Sequence, residues 1–361
     1  MNKIVNRLSI YLTVRRNLES VRAYEQYEKH RFYPRICVTD SQIQIDITNI
    51  DIRKKLEQNI EYMSSALPRN YVVKDYYITK EQDKLILNYI DVRKENRLIF
   101  DKPTKFYDWC MDYGVTQLLV DDTYYIDLRQ TPHLLVTGAT GSGKSYFVQS
   151  LITQALFKDY EIDIIDYKRS YQMFENTCSV VYTIEDIEKK MDEVIEELHE
   201  RQVQMDEHLK EDATVLAYQK GFSLRLVVIE EYLALVNSNA DKKMLAKIEK
   251  QILEICTLGR ALNIHLFMTM QVSAATNLNS SIRANMSCRV VMGNVNRTIL
   301  ETTFGTGVAV PGLHIKKEVG DGLIYLNGEI ATFMAPTLKF NLKDVLMVVS
   351  SNQDKGKAKN G

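Results

Sequence analysis

Two patterns of apolar and polar positions divide the chain. Up to about residue 35 the sequence is charged, rich in tyrosine (Tyr24, Tyr27, Tyr33), and reads as helical. Ile43, Ile45 and Ile47 then alternate with Gln42, Gln44 and Asp46, the period of two expected of a half-buried strand. A helix is expected over about 51–66, ending before Pro68, with strands near 71–79 and 84–92. These elements predict a small α+β domain that closes near residue 125.

From His133 the pattern changes. Leu134–Val136 is an apolar strand that runs into a glycine-rich loop and a helix from Tyr146 to about Phe157. A strand follows over 162–167. Ile184, Ile187, Met191, Val194, Ile195 and Leu198 then recur at helical spacing. Residues 224–229 are a continuous apolar run, as expected of a strand buried on both faces. Met244, Ile248, Ile252 and Ile255 mark a further helix, and strands are expected at about 264–270, 288–293 and 322–326. Strands alternating with helices predict an α/β domain over 126–345, with a largely parallel sheet covered on both sides. The polar residues 346–361 read as a disordered tail.

Composition narrows the function classes. Lys and Arg total 46 and Asp and Glu 47, a net charge of −1, which excludes a globally basic DNA-coating protein but not a local basic surface. The five cysteines (Cys37, Cys110, Cys178, Cys256, Cys288) are scattered and form no CxxC pair, the usage of a reducing, cytoplasmic protein without structural zinc. Arg7, Arg15 and Arg16 interrupt the N-terminal apolar stretch, so it does not read as a signal peptide. A run of about 18 apolar residues, the length that spans a membrane, is not found.

The chemistry sits in three segments. Gly138-Ala139-Thr140-Gly141-Ser142-Gly143-Lys144-Ser145 fits GxxxxGK[ST] and lies between an apolar strand and a helix, as a P-loop must. The glycines let backbone N–H groups turn inward, and the helix N-terminus adds a positive dipole. Lys144 would reach the β- and γ-phosphates of ATP, and the Ser145 hydroxyl would ligate Mg²⁺. A P-loop also needs a carboxylate at the end of a neighbouring strand. Glu230 and Glu231 follow the apolar run 224–229. Glu230 is assigned to the metal shell with Ser145, and Glu231 to orienting the attacking water. An exchange of these tasks, or an acidic start to the next helix, fits the same two residues. Gln271 ends the apolar strand 264–270 and is a candidate for sensing the γ-phosphate. A solvated loop residue is the simpler reading of it taken alone.

Taken in order, TPHLLVTGATGSGKS, IIDYK (164–168), LVVIEEYLAL (226–235), LGRALNIHLFMTMQ (258–271), IRANMSCRVVM (282–292) and GDGLIYL (320–326) resemble the FtsK/SpoIIIE DNA translocase family over about residues 115–340. The resemblance implies a RecA-like P-loop NTPase, here preceded by the small α+β domain. It would assemble as a ring, usually a homo-hexamer, and pump double-stranded DNA. The layout looks most like the coupling proteins of Gram-positive conjugative and integrative elements. It thus implies a relaxase or a membrane transfer channel as partner, and recruitment to the membrane by that partner. Arg260 and Arg289 fall in matching segments and are candidates for an arginine supplied to the neighbouring subunit's site. A surface ion pair is an equal reading of each. Asp166 and Lys168 match the segment after the second strand, where they either couple nucleotide state to DNA or pair locally.

The chain departs from the family pattern in places. The usual Asp of the acidic strand end is Glu230, and the usual Thr before the sensor Gln is Met270. The membrane helices and the DNA-reading winged-helix module of FtsK have no counterpart, so sequence-directed movement is not expected. Arg53–Lys55, Lys242–Lys243 with Lys247 and Lys250, and Lys316–Lys317 offer phosphate contacts, although short basic runs are more often solvated faces. Two other functions keep the fold: an ATPase that moves a protein, as in type VII secretion, and a slow nucleotide-dependent scaffold.

Overall fold

The computed structural model describes residues 2–60, 67–68, 71–91, 97–212, 214–238, 240–271, 278–294, 296–305 and 318–346. The chain forms two compact units, one drawn mainly from Met1–Arg97 and the other mainly from Leu98–Phe304.

The first unit contains α1 (Asn2–Ser20), β1 (Glu25–Tyr27), β2 (His30–Phe32), β3 (Ile36–Val38), β4 (Gln42–Asp46), α2 (Ile50–Gln58), β5 (Tyr71–Ile78) and β6 (Lys84–Asp91). Four strands make an antiparallel sheet in the order β3-β4-β6-β5. The alternation in β4 points Ile43 and Ile45 into the core, where they meet Ile10, Val14 and Leu18 of α1 and Ile52 and Leu56 of α2. Asn49 caps α2 by accepting the N–H groups of Asp51 and Ile52 at 2.9 and 3.1 Å.

The helical reading of the first 35 residues holds only to Ser20. Arg22 turns the chain at φ 56°, and Glu28 at φ 52° closes a short exposed hairpin, β1–β2. The expected helix over 51–66 ends at Gln58, where the Asn59 N–H bonds the Leu56 carbonyl. Residues 61–66 of that expectation lie outside the described residues, as do Lys316–Lys317 and almost all of the tail.

The second unit opens with β7 (Ile99–Phe100), α3 (Pro103–Met111), β8 (Gln117–Leu119) and β9 (Tyr125–Asp127). The repeating part follows: β10 (His133–Gly138), α4 (Lys144–Phe157), β11 (Glu161–Ile165), β12 (Ser179–Val181), α5 (Ile184–Glu211), β13 (Arg225–Ile229), α6 (Tyr232–Val236), α7 (Lys242–Leu262), β14 (Ile264–Gln271), α8 (Ser280–Asn285), β15 (Cys288–Met292), α9 (Arg297–Phe304) and β16 (Asp321–Leu326). β17 (Glu329–Met334) and β18 (Thr337–Leu338) follow.

Seven strands of the eight-stranded central sheet belong to this unit, in the order β12-β11-β13-β14-β10-β15-β16. All neighbours run parallel except β15 and β16. The fold is therefore α/β with a mixed, mostly parallel sheet, as the alternation predicted. The apolar runs are buried because helices cover both faces. One layer is α5 and α7, whose Ile187, Met191, Val194, Leu198, Ile248, Ile252 and Ile255 pack with Val227, Ile229 and Leu266. α7 can lie close to β14 because position 259 is glycine. A Cβ there would sit 2.1 Å from the Ile264 carbonyl oxygen.

α4 is buried almost all round. Gln154 exchanges two hydrogen bonds with the Leu119 backbone at 2.8 and 2.9 Å. Lys158 donates to the carbonyls of Gly114 and Gln117 at 2.9 and 2.6 Å. The segment before β10, which the sequence pattern left without elements, thus clamps the helix that begins at the glycine loop. β18 pairs with β7, and Phe106, Phe157 and Leu338 share a small core beside it.

Candidate functional site

Parallel strands bring their carboxyl ends to one edge, and loops leaving that edge build the site. Gly138 ends β10 opposite Gln271 of β14, and Ile229 of β13 lies opposite Met268. The glycine loop and the acidic tip of β13 therefore converge, with β14 between them. The neighbour that carries the acids is one strand further away than the sequence suggested, and a residue of the intervening strand fills that space.

The loop has the shape its glycines allow. Gly141 and Gly143 hold φ of 80° and 95°, which disfavour a side chain. A Cβ on Gly143 would lie 2.9 Å from the Gly320 backbone nitrogen, and one on Gly138 would lie 2.6 Å from Ser142 Oγ. α4 starts directly after Gly143. A cavity of about 340 Å³ opens here, lined by residues 138–141 and 143–146 with Lys168, Ser170, Glu230, Glu231 and Gln271. Ser142 is buried beneath the loop, and its Oγ has no hydrogen-bond partner among the described residues.

The acidic pair is joined to the loop by direct bonds. Lys144 Nζ donates to Glu231 Oε2 at 3.0 Å, and Ser145 Oγ donates to Glu230 Oε1 at 3.2 Å. Thr269, fully buried on β14, ties the two acids together. Its hydroxyl donates to Glu230 Oε2 at 2.6 Å and accepts the Glu231 N–H at 2.7 Å. The other Glu231 oxygen accepts the Gln271 N–H at 3.0 Å. Glu231 adopts φ 52°, a left-handed geometry uncommon for a residue with a side chain, and it starts α6. Burial works to raise the Glu231 carboxyl, but Lys144, Lys168 and the Gln271 amide hold it below the usual carboxylate range.

A second set of groups lies behind these. Asp166, at the end of β11, is buried, and burial together with the nearby Glu230 pushes its carboxyl up. Tyr171 is fully buried, and burial and Glu230 push its phenol up. Neither Thr269 nor Tyr171 was identified from the sequence. Each sits inside or beside an apolar run and shows no local pattern that separates it from core.

Ser145 and Glu230 present two oxygens to one spot, the donor set of a magnesium-bound nucleotide. The left-handed Gly141 and Gly143 and the start of α4 at Lys144 line the cavity, as a phosphate chain in the loop requires. Gln271 lines the same cavity. Arg260 and Arg289 do not. Arg260 donates to the Arg129 carbonyl at 2.8 Å. Arg289 donates to the carbonyls of Met286, Thr303 and Phe304 and covers the Tyr325 ring.

A strand, a glycine loop whose Lys and Ser face two carboxylates, and a helix on a mostly parallel sheet define a P-loop ATPase. Residues 108–279 match the FtsK/SpoIIIE family. A DNA translocase FtsK of Borreliella burgdorferi is 26% identical over 51% of this chain and 25% of its own length. The chain spans about a quarter of the length of the curated relatives it matches. Among solved structures, the pCW3 conjugation coupling protein TcpA with ATPγS aligns with a TM-score of 0.59 at 18% identity, over 92% of this chain and 94% of that one. EssC (ATPases 2 and 3) from Geobacillus thermodenitrificans aligns with a TM-score of 0.50 at 13% identity, over 80% of this chain and 48% of that one.

Proposed function

We infer that the chain hydrolyses ATP to move double-stranded DNA, with the second compact unit, which begins at Leu98 rather than near residue 126, as the motor domain and the first unit as a domain that precedes it. One observation carries the hydrolytic part of this reading. Two buried carboxylates at the tip of β13 are bonded to the Lys and Ser of the glycine loop. The match of residues 108–279 to the FtsK/SpoIIIE family, and matched relatives named DNA translocases, support DNA as the cargo. The finer reading is a cytoplasmic coupling protein of a mobile genetic element. It would act as a homo-hexameric ring with a relaxase or a membrane transfer channel as partner, which would recruit it to the membrane. The fold shared with a conjugation coupling protein supports it. Among the described residues, no helix is long and apolar enough to cross a membrane.

The residues divide the work by position. Amides of the glycine loop and Lys144 take the phosphates, which draws Lys144 off Glu231. Freed of that ion pair, Glu231 orients and deprotonates the attacking water. Glu230 is fixed by Thr269 and faces Ser145. A magnesium ion held from Ser145 and Glu230 would neutralise charge on the transferring phosphate. Gln271 contacts the γ-phosphate side, and Arg260 or Arg289 of an adjacent subunit completes the site.

A motor for a protein cargo uses the same site, and the likeness to EssC fits it in fold. Phosphate release by the full chain, measured against duplex length, separates the readings. Stimulation that rises with duplex length is expected. A rate indifferent to duplex but raised by a candidate cargo peptide would favour the protein motor. Stable ATP binding with negligible turnover in either case would favour a scaffold.

A further inference from the structure

The loop after β11 brings a second lysine to the site, and the reading above gives it no task. Asp166 ends the strand and folds the loop back on itself. Its Oδ2 accepts the Tyr171 N–H at 2.7 Å, and its carbonyl accepts the Arg169 N–H at 3.1 Å. Arg169 adopts φ 60°, which the turn requires, and its guanidinium lies over the Tyr182 ring, 4.9 Å from the centroid. Tyr171 is buried and stacks on Phe174. Both ends of the turn are thus anchored, and Lys168 and Ser170 between them line the cavity, Lys168 as the charged one. Its Nζ stands 3.6 Å from Glu231 Oε2, the oxygen that Lys144 also holds. Lys144 and Lys168 are the two cations that line the cavity among the described residues.

This arrangement has a consequence for nucleotide binding. Lys144 enters from the loop and must serve the phosphates nearest to it. Lys168 enters from the loop after β11, and its ammonium meets the carboxylate assigned to the attacking water at the same oxygen that Lys144 holds. Its side chain is 42% exposed, so it can turn from Glu231 to an anion without first being desolvated.

We propose that Lys168 supplies a charged contact to the γ-phosphate beside Gln271 and so favours ATP over ADP, with Asp166 as the positioning residue that aims it. This rests on the glycine loop being a nucleotide site. The partner is any nucleoside triphosphate tail, and the contact is a charge-assisted hydrogen bond from an ammonium to a phosphate oxygen.

The test is calorimetric titration of the full chain with magnesium-ATPγS and, separately, magnesium-ADP. Lys168→Ala should weaken ATPγS about tenfold, the usual scale for a hydrogen bond to a charged group, and leave ADP within about twofold. Lys168→Arg should restore part of the preference. Asp166→Asn keeps an oxygen for the Tyr171 N–H and should retain most of it, whereas Asp166→Ala should lose it. Retained ADP binding certifies that each variant is folded. Equal weakening of both nucleotides, or no change in either, overturns the role of Lys168. If the unaltered chain binds neither nucleotide, the glycine-loop reading itself fails, which is a separate result.

Discussion

Replacing Glu231 by Gln should tighten ATP binding while slowing turnover. Lys144 is paired with Glu231 at 3.0 Å, with 9% and 6% of the two side chains exposed. At an effective dielectric constant of about 20, the gross attraction at this separation is about 5 to 6 kcal/mol. Desolvation offsets much of that, and breaking buried pairs by removing one partner typically costs about 3–5 kcal/mol. Nucleotide must compete with this pair, because the same ammonium has to serve the phosphates. Gln keeps an amide oxygen for the Gln271 N–H and removes only the charge. If about 1–3 kcal/mol of the pair energy is no longer lost on binding, affinity for ATPγS rises roughly 5- to 150-fold. Losing the water-orienting carboxylate should slow hydrolysis about 10²- to 10⁴-fold. Titration of Mg-ATPγS gives the first quantity, and single-turnover phosphate release gives the second. Unchanged affinity together with unchanged turnover would refute both the competition and the role of Glu231.

Two further outcomes follow from buried groups outside the site. His133 and His265 are buried, and desolvation lowers them to about 4 and about 3. Both stay neutral in the folded protein while the unfolded chain takes up protons below pH 6.5. Stability is therefore retained above that pH and lost as pH falls, by about 2 kcal/mol per histidine between pH 6.5 and 5. Urea denaturation at the two pH values measures this, and a stability independent of pH in that window would contradict it. Gly259→Ala should destabilise by about 3 kcal/mol, the upper end of the usual cost of overpacking, since its Cβ would press on the Ile264 carbonyl between α7 and β14. A melting temperature within 2 °C of the unaltered chain, roughly the shift of a fraction of that energy, would mean that helix and strand are not so closely apposed.

The sequence carried the frame of the second unit because both faces of its strands are covered, and apolar runs such as 224–229 are distinctive. It carried the glycine loop and the acidic pair because their chemistry needs particular residues at fixed spacing. What it did not carry depends on register. Thr269 joins Glu230 to Glu231 only because β14 lies between β10 and β13, and the order of strands is not written in any one of them. Tyr171 reads as core until β11 and its loop place it against Glu230. The hairpin β1–β2 was read as helix because its residues are exposed on both strands, which removes the alternation that would mark it. Short elements such as β8 and β9 gain their place from Gln154 of α4 and Lys158 just after it, and have no strong pattern of their own.

The most direct test of the account is where a triphosphate sits. In a crystal structure of the chain with Mg-ATPγS, the β-phosphate should lie within hydrogen-bond distance of the amides of Gly143 and Lys144. Lys144 Nζ should have left Glu231 for the phosphates, and Ser145 and Glu230 should flank the metal. Nucleotide bound elsewhere, or bound at the loop with Lys144 still 3.0 Å from Glu231, would contradict it.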